Sequence, residues 1–164
     1  MKADKIIISI VIASFLIVGV GVFAASKVGN TAAVVESREV KVELSETEYA
    51  WGDIQMKNGV VTKLFTIKNN GTQDLELANI KTSCMCTTAA ISVNGAKSPT
   101  FRMHQASSWK GIVAPGKEAQ LEVVFDPAFH GPSGVGQITR QITVETNDAS
   151  NKLLTFAVTA NVLN

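Results

Sequence analysis

Glu118-Ala119-Gln120-Leu121-Glu122-Val123-Val124-Phe125 carries Ala119, Leu121, Val123 and Phe125 in one phase, and Glu118, Gln120, Glu122 and Val124 in the other. A period of two puts one set on each face of a β-strand. A strand of this kind has a core on one side and water on the other, which predicts a half-buried member of an antiparallel sheet. The turn Ala114-Pro115-Gly116-Lys117 leads into it, and the Gly- and Pro-rich stretch Asp126 to Gly136 (DPAFHGPSGVG) leads out.

The same period extends in both directions. C-terminally, Gln137 to Thr146 (QITRQITVET) reads as a strand ending at Asn147-Asp148, and Leu154, Phe156, Val158, Ala160 and Val162 give the last strand one apolar face. N-terminally, strands are expected at Val40 to Leu44, Glu48 to Trp51, Val60 to Lys68 (VVTKLFTIK), around Leu75, Leu77 and Ile80, and at Ala89 to Val93. Turn signals separate them, notably Lys57-Asn58-Gly59, Asn69-Asn70-Gly71-Thr72 and Asn94-Gly95. No run with a 3.6-residue period is long enough for a major helix. Residues 40–164 are therefore expected to form an all-β, immunoglobulin-like antiparallel sandwich of about seven to eight strands. The segment Ala96 to Gly111, with Phe101, Met103, His104 and Trp109, breaks the rhythm. An apolar loop of that length is either functional or folded back over the sheet.

Residues 1–25 are of another kind. After Met1-Lys2-Ala3-Asp4-Lys5 come twenty uncharged residues, Ile6 to Ala25. As a helix they would span roughly 30 Å, the thickness of a bilayer's hydrocarbon core. This reads as a single membrane anchor with Lys2 and Lys5 holding the N-terminus in the cytoplasm, so that the following domain is displayed outside. The alternative is a signal peptide, since Val22-Phe23-Ala24 and Ala24-Ala25-Ser26 resemble cleavage sites; the domain is then secreted or periplasmic. No cysteine near this segment supports a lipoprotein. Residues 26–39 (SKVGNTAAVVESRE) read as a spacer able to reach on the order of 20 Å. The 15 basic and 14 acidic residues are interspersed, which gives no electrostatic footprint for nucleic acid.

Both cysteines lie in Thr82-Ser83-Cys84-Met85-Cys86-Thr87-Thr88. Three states are open to them. As soft ligands, Cys84 and Cys86, with Met103 and His104 from the long loop, suit Cu(I); copper is the one cofactor the residue types suggest. As a disulfide they need a turn at Met85, because extended residues two apart lie roughly 6.6 Å apart with parallel side chains. Such a bond is a redox switch rather than a staple. As buried thiols they simply fill space. Export favours oxidation.

Several short motifs occur together and in order: Tyr49-Ala50-Trp51-Gly52-Asp53-Ile54, Phe65-Thr66-Ile67-Lys68-Asn69-Asn70-Gly71, Cys84-Met85-Cys86-Thr87, Ala114-Pro115-Gly116, Val124-Phe125-Asp126 and Val144-Glu145-Thr146-Asn147-Asp148. In this the chain resembles, over about Glu46 to Val162, the bacterial "domain of unknown function fifteen seventy-three" family, whose members look like the hydin-type and major-sperm-protein-type Ig-like domains. The resemblance implies a fold and an exported location rather than a reaction. Two departures stand out. Met85 replaces the Gly common between the cysteines, a costly exchange if that Gly has positive φ, and Ala96 to Ile112 replaces a short connection.

Other motifs fall away on their chemistry. Gly131 to Ile138 (GPSGVGQI) has P-loop glycine spacing, but Gln137 stands for the lysine and Ile138 for the hydroxyl, so no nucleotide is expected. His104 and His130 sit in loops, and no G-x-S-x-G elbow accompanies them. Asn70-Gly71-Thr72 reads as a turn rather than a glycosylation acceptor. The functional expectation is a membrane-anchored extracytoplasmic module without catalytic residues, with the bilayer at residues 6–25 and an unidentified envelope protein as partners. A copper or thiol redox role for Cys84, Cys86, Met103 and His104 is the alternative.

Overall fold

A computed structural model of the chain describes residues 31–164 and Ser14. The anchor expected at 1–25 lies outside the described stretch, as do residues 26–30 of the spacer. Among the described residues no helix is long and apolar enough to cross a membrane.

Ten strands build residues 31–164: β1 (Val42–Leu44), β2 (Glu48–Gln55), β3 (Val61–Asn69), β4 (Leu75–Thr82), β5 (Thr87–Val93), β6 (Ala96–Lys97), β7 (Lys110–Val113), β8 (Glu118–Phe125), β9 (Gly136–Thr146) and β10 (Leu153–Leu163). They form two five-stranded sheets, β1-β3-β8-β5-β6 and β2-β10-β9-β4-β7. The sandwich is as expected, but the strand count of seven to eight is corrected to ten. The extra pair, β6 and β7, are two and four residues long, too short to display a period. One further correction concerns direction: β2 pairs with β10 in parallel, with a register shift between Thr159 and Asn161.

Between the sheets the in-phase residues of the long strands interdigitate. Ala119, Leu121 and Val123 of β8 are fully buried, and so are Phe65 and Ile67 of β3, Ile142 and Val144 of β9, and Phe156 and Val158 of β10. Phe65 and Phe156 meet across the core with ring centroids 5.0 Å apart. Each of these side chains except the small Ala119 contributes about 1.5–3 kcal/mol over leaving it in water, so the alternation is also the main source of stability. The irregular 96–111 segment is folded back. Phe101 is wholly buried and exchanges two backbone hydrogen bonds with Ala89 of β5, and Trp109 packs against it at 5.6 Å. Gly111 leaves room for that indole: a Cβ there would lie 2.5 Å from Trp109 Cη2.

One end of the sandwich is closed by polar side chains. Asn69 is fully buried and donates to the carbonyls of Gln73 and Val113, while its own carbonyl accepts from Gly71 N–H. Asn147 accepts from Glu76 N–H and donates to Asp74 O. Asp148, 2% exposed, accepts from the N–H groups of Val42 and Ser150 and from the Asn151 amide. Burial alone would raise its carboxyl, but the Asn151, Val42 and Ser150 hydrogen bonds outweigh it and hold the group below the ordinary carboxylate range. The stretch before β1 is tied to this end as well: Ser37 N–H donates to Asn147 O and Ala149 N–H to Ser37 O. The described part of the 26–39 spacer therefore lies along the domain.

Candidate functional site

The opposite end of the sandwich holds the cysteines. β4 finishes at Thr82 and β5 starts at Thr87, one in each sheet, so Ser83 to Cys86 must carry the chain across. It does so in a turn closed by Thr87 N–H on Cys84 O at 3.2 Å. The Thr82 hydroxyl, 3.1 Å from the carbonyl oxygens of both Cys84 and Thr87, braces it from beneath. Met85 does not have a positive φ. A side chain is thus accommodated where a glycine is common, and the turn brings Cys84 and Cys86 to a Cα separation of 5.3 Å. The two are joined in a disulfide.

A smaller apolar cluster lies under the bond, separate from the main core. Cys86 is buried with Ile54, Phe125, Ala160 and Val162, and Trp51 and Cys84 pack against them. Trp51 stacks on Phe125 with centroids 6.0 Å apart. Cys84 is half-buried and Met85 is exposed.

Two side chains from β9 and its entry loop reach the sulfurs. Arg140 lies in phase with Ile138, Ile142 and Val144, so its stem enters the sandwich edge; its Nε–H donates to Cys86 Sγ at 3.1 Å. Its guanidinium also lies 5.8 Å from the Phe125 ring centre, within cation–π reach. Burial lowers the Arg140 pKa from its ordinary value, yet a guanidinium remains charged near neutrality. His130 arrives by a different route. Asp126 N–H bonds to Cys86 O, the Asp126 carboxylate accepts from Ala128 N–H, and Gly131, at φ +56°, donates to Ala128 O. That coil lays His130 Nε2 3.4 Å from Cys84 Sγ, with the Phe129 ring edge-on to the imidazole at 5.0 Å. Cys84 Sγ, Cys86 Sγ and a His130 ring nitrogen all lie within 4.8 Å of one another.

Of the residues expected to act together, Cys84 and Cys86 meet. His104 is not part of this cluster and occupies a turn at φ +60°, after the Phe101 bridge to β5; Met103 precedes it, half-buried. His130, which the sequence places only in a loop, takes the place beside the sulfurs. Arg140 was also missed, although a cation in phase with the apolar positions of QITRQITV was the available signal. The glycine-rich stretch that imitates a P-loop is the bend after His130: Gly131–Gly134 form one 3-10 turn before β9 begins.

No curated protein matches the sequence. A protein of unknown function from Porphyromonas gingivalis W83 has a similar fold, with a TM-score of 0.58 and 21% identity over 79% of this chain. The match covers 50% of that protein, so this chain spans half its length. The human CEP192 ASH/PapD-like domain 7 aligns at TM-score 0.49 and 14% identity, over 84% of this chain and 96% of that one. The secreted serine protease VesC of Vibrio cholerae aligns at 0.46 and 15%, over 78% and 24%. Residues 40–161 match the model of the HYDIN/CFA65/VesB-like Ig-like domain, and the chain belongs to that family.

Proposed function

We propose that this chain is a membrane-anchored extracytoplasmic module that works by protein–protein contact rather than catalysis, and that the cysteine end is its contact surface. The carrying observation is that Met85 and Phe129 stand 39% and 48% exposed on two different loops that meet at the disulfide. Apolar side chains held out on braced loops require little backbone ordering on binding, and Phe and Met are enriched at interfaces. Export rests on the uncharged Ile6 to Ala25 run with Lys2 and Lys5 before it.

The test uses the full chain in its membrane. In right-side-out vesicles protease removes the domain, and in inside-out vesicles the domain is protected; the reverse pattern rejects the orientation. A photo-crosslinking amino acid at Phe129 or Met85 gives the same discrete adduct with one envelope protein, and one at the exposed Ile112 does not. Equal labelling at all three positions rejects the surface.

A second reading, reversible thiol–disulfide exchange, is favoured by a specific asymmetry: Cys84 is half-exposed, and Cys86 is 3% exposed against a guanidinium. An incoming thiolate reaches Cys84 Sγ, and Cys86 Sγ leaves as a thiolate beside Arg140.

A further inference from the structure

We infer that reduction of the Cys84–Cys86 disulfide creates a site for a monovalent soft metal ion, Cu(I), ligated by the two thiolates and His130. The inference rests on the thiol reading and is independent of the protein-contact reading. Ligands about 2.3 Å from one ion stand at most ~4.6 Å apart, and the two sulfurs and the imidazole nitrogen lie within 4.8 Å of one another, so small side-chain adjustments bring all three into reach of one ion. Neither thiolate has to be brought in from elsewhere: the turn at Met85 holds both on one side, and the Asp126–Gly131 coil delivers the nitrogen.

Reduction and loading balance as follows. A dithiol donor attacks Cys84 Sγ through one thiolate, the S–S bond breaks, and Cys86 Sγ carries off the electron pair. The donor's second thiolate then displaces Cys84 and leaves as the donor's own disulfide. Two electrons and two protons pass to the protein. Binding of one Cu(I) to both sulfurs releases those two protons.

Charge selects the ion. Two thiolates beside the Arg140 guanidinium leave a net charge of −1 at a half-buried site, which a monovalent ion neutralises. A divalent ion would leave +1 there, a costly balance in a poorly solvated place. Thiolates accept both Cu(I) and zinc, so charge is what separates the two ions here; three protein ligands also fall short of the four that closed zinc sites use.

The experiment uses the full chain in detergent, reduced with a dithiol that is then removed without oxygen, with thiols counted before titration. Cu(I) is supplied with ascorbate and competed against a chromogenic Cu(I) chelator. One equivalent binds the reduced chain and none binds the oxidised chain. Cys84→Ser with Cys86→Ser abolishes binding, His130→Ala weakens it by more than about tenfold, and His104→Ala leaves it unchanged. His130 lies on an exposed loop, so its variant stays folded even if the double serine variant does not. Binding by the oxidised chain, equal affinity of His130→Ala and the parent, or displacement of the copper by equimolar zinc(II) overturns the inference. Two counted thiols without copper binding overturn it alone; thiols that cannot be released overturn the thiol reading with it.

Discussion

The two ends of this sandwich close the same pair of sheets by opposite means. At the β1 end, Asn69, Asn147 and Asp148 are buried and bonded to backbone groups of neighbouring turns. At the other end, a disulfide, a half-buried arginine and an exposed histidine sit among exposed Met85 and Phe129. Buried polar groups that are fully bonded fix one arrangement and are costly to disturb. Sulfurs at an edge, joined over a single intervening residue, constrain little chain and are open to reagents. The first end reads as architecture and the second as a working surface. Measurements that reverse this ranking would break the distinction.

The largest effect is expected from Gly71→Ala at the polar end. A Cβ there would lie 2.4 Å from Glu39 O and 2.6 Å from Lys41 N, backbone atoms that cannot rotate away. Urea unfolding followed by Trp51 and Trp109 fluorescence should show a loss of about 3 kcal/mol. A loss under about 1 kcal/mol would mean that the strap before β1 is not held against this turn.

Asp148→Ala comes next, at about 2 kcal/mol near neutrality, because Val42 and Ser150 N–H groups lose their acceptor. Since the folded carboxyl is held below the ordinary value, its contribution is complete above the unfolded pKa of about 3.9 and is lost as pH falls through the folded value. The parent should therefore lose more stability than Asp148→Ala between pH 6 and pH 3. Parallel losses in the two proteins would remove Asp148 from the explanation.

Reduction of the disulfide should cost less than either substitution. The bond closes a loop between residues only two apart, and the chain-entropy relation gives roughly 1.6 kcal/mol for such a loop. A reduced domain that unfolds outright would turn the cysteine end into a staple. Smallest of all, Phe129→Ser should leave the urea midpoint within about 0.5 kcal/mol, since the side chain is half exposed. The same change should abolish the crosslinked adduct obtained from the Met85 position. A large stability loss with the adduct intact would reassign Phe129 to packing.

Legibility followed the range of the interactions. The β8 alternation, the turn at Asn69 to Thr72 and the buried face of β10 are local patterns, because a strand's two faces are set by adjacent residues. The parallel β2–β10 pair was not legible, since nothing within either strand names its neighbour. Trp109 and Phe101 showed that the 96–111 segment carries apolar weight. Whether it folded back depended on Ala89, which is distant in sequence and offers Phe101 its backbone partners. The cysteine site divides in the same way.

From the sequence alone came a two-faced strand pattern and therefore a sandwich, together with a pair of thiols too close to staple distant parts. Periodicity and spacing along the chain carry that much. Tertiary structure decided which histidine meets the sulfurs: His104 is nearer in sequence, yet His130, forty-six residues from Cys84, is the one in contact. β4, β5 and β8 all reach the same edge of the sandwich, and the Asp126–Gly131 coil closes over it. Strand direction, not sequence distance, sets which loops share an end, so the third member of the site became visible only when both sheets were assembled.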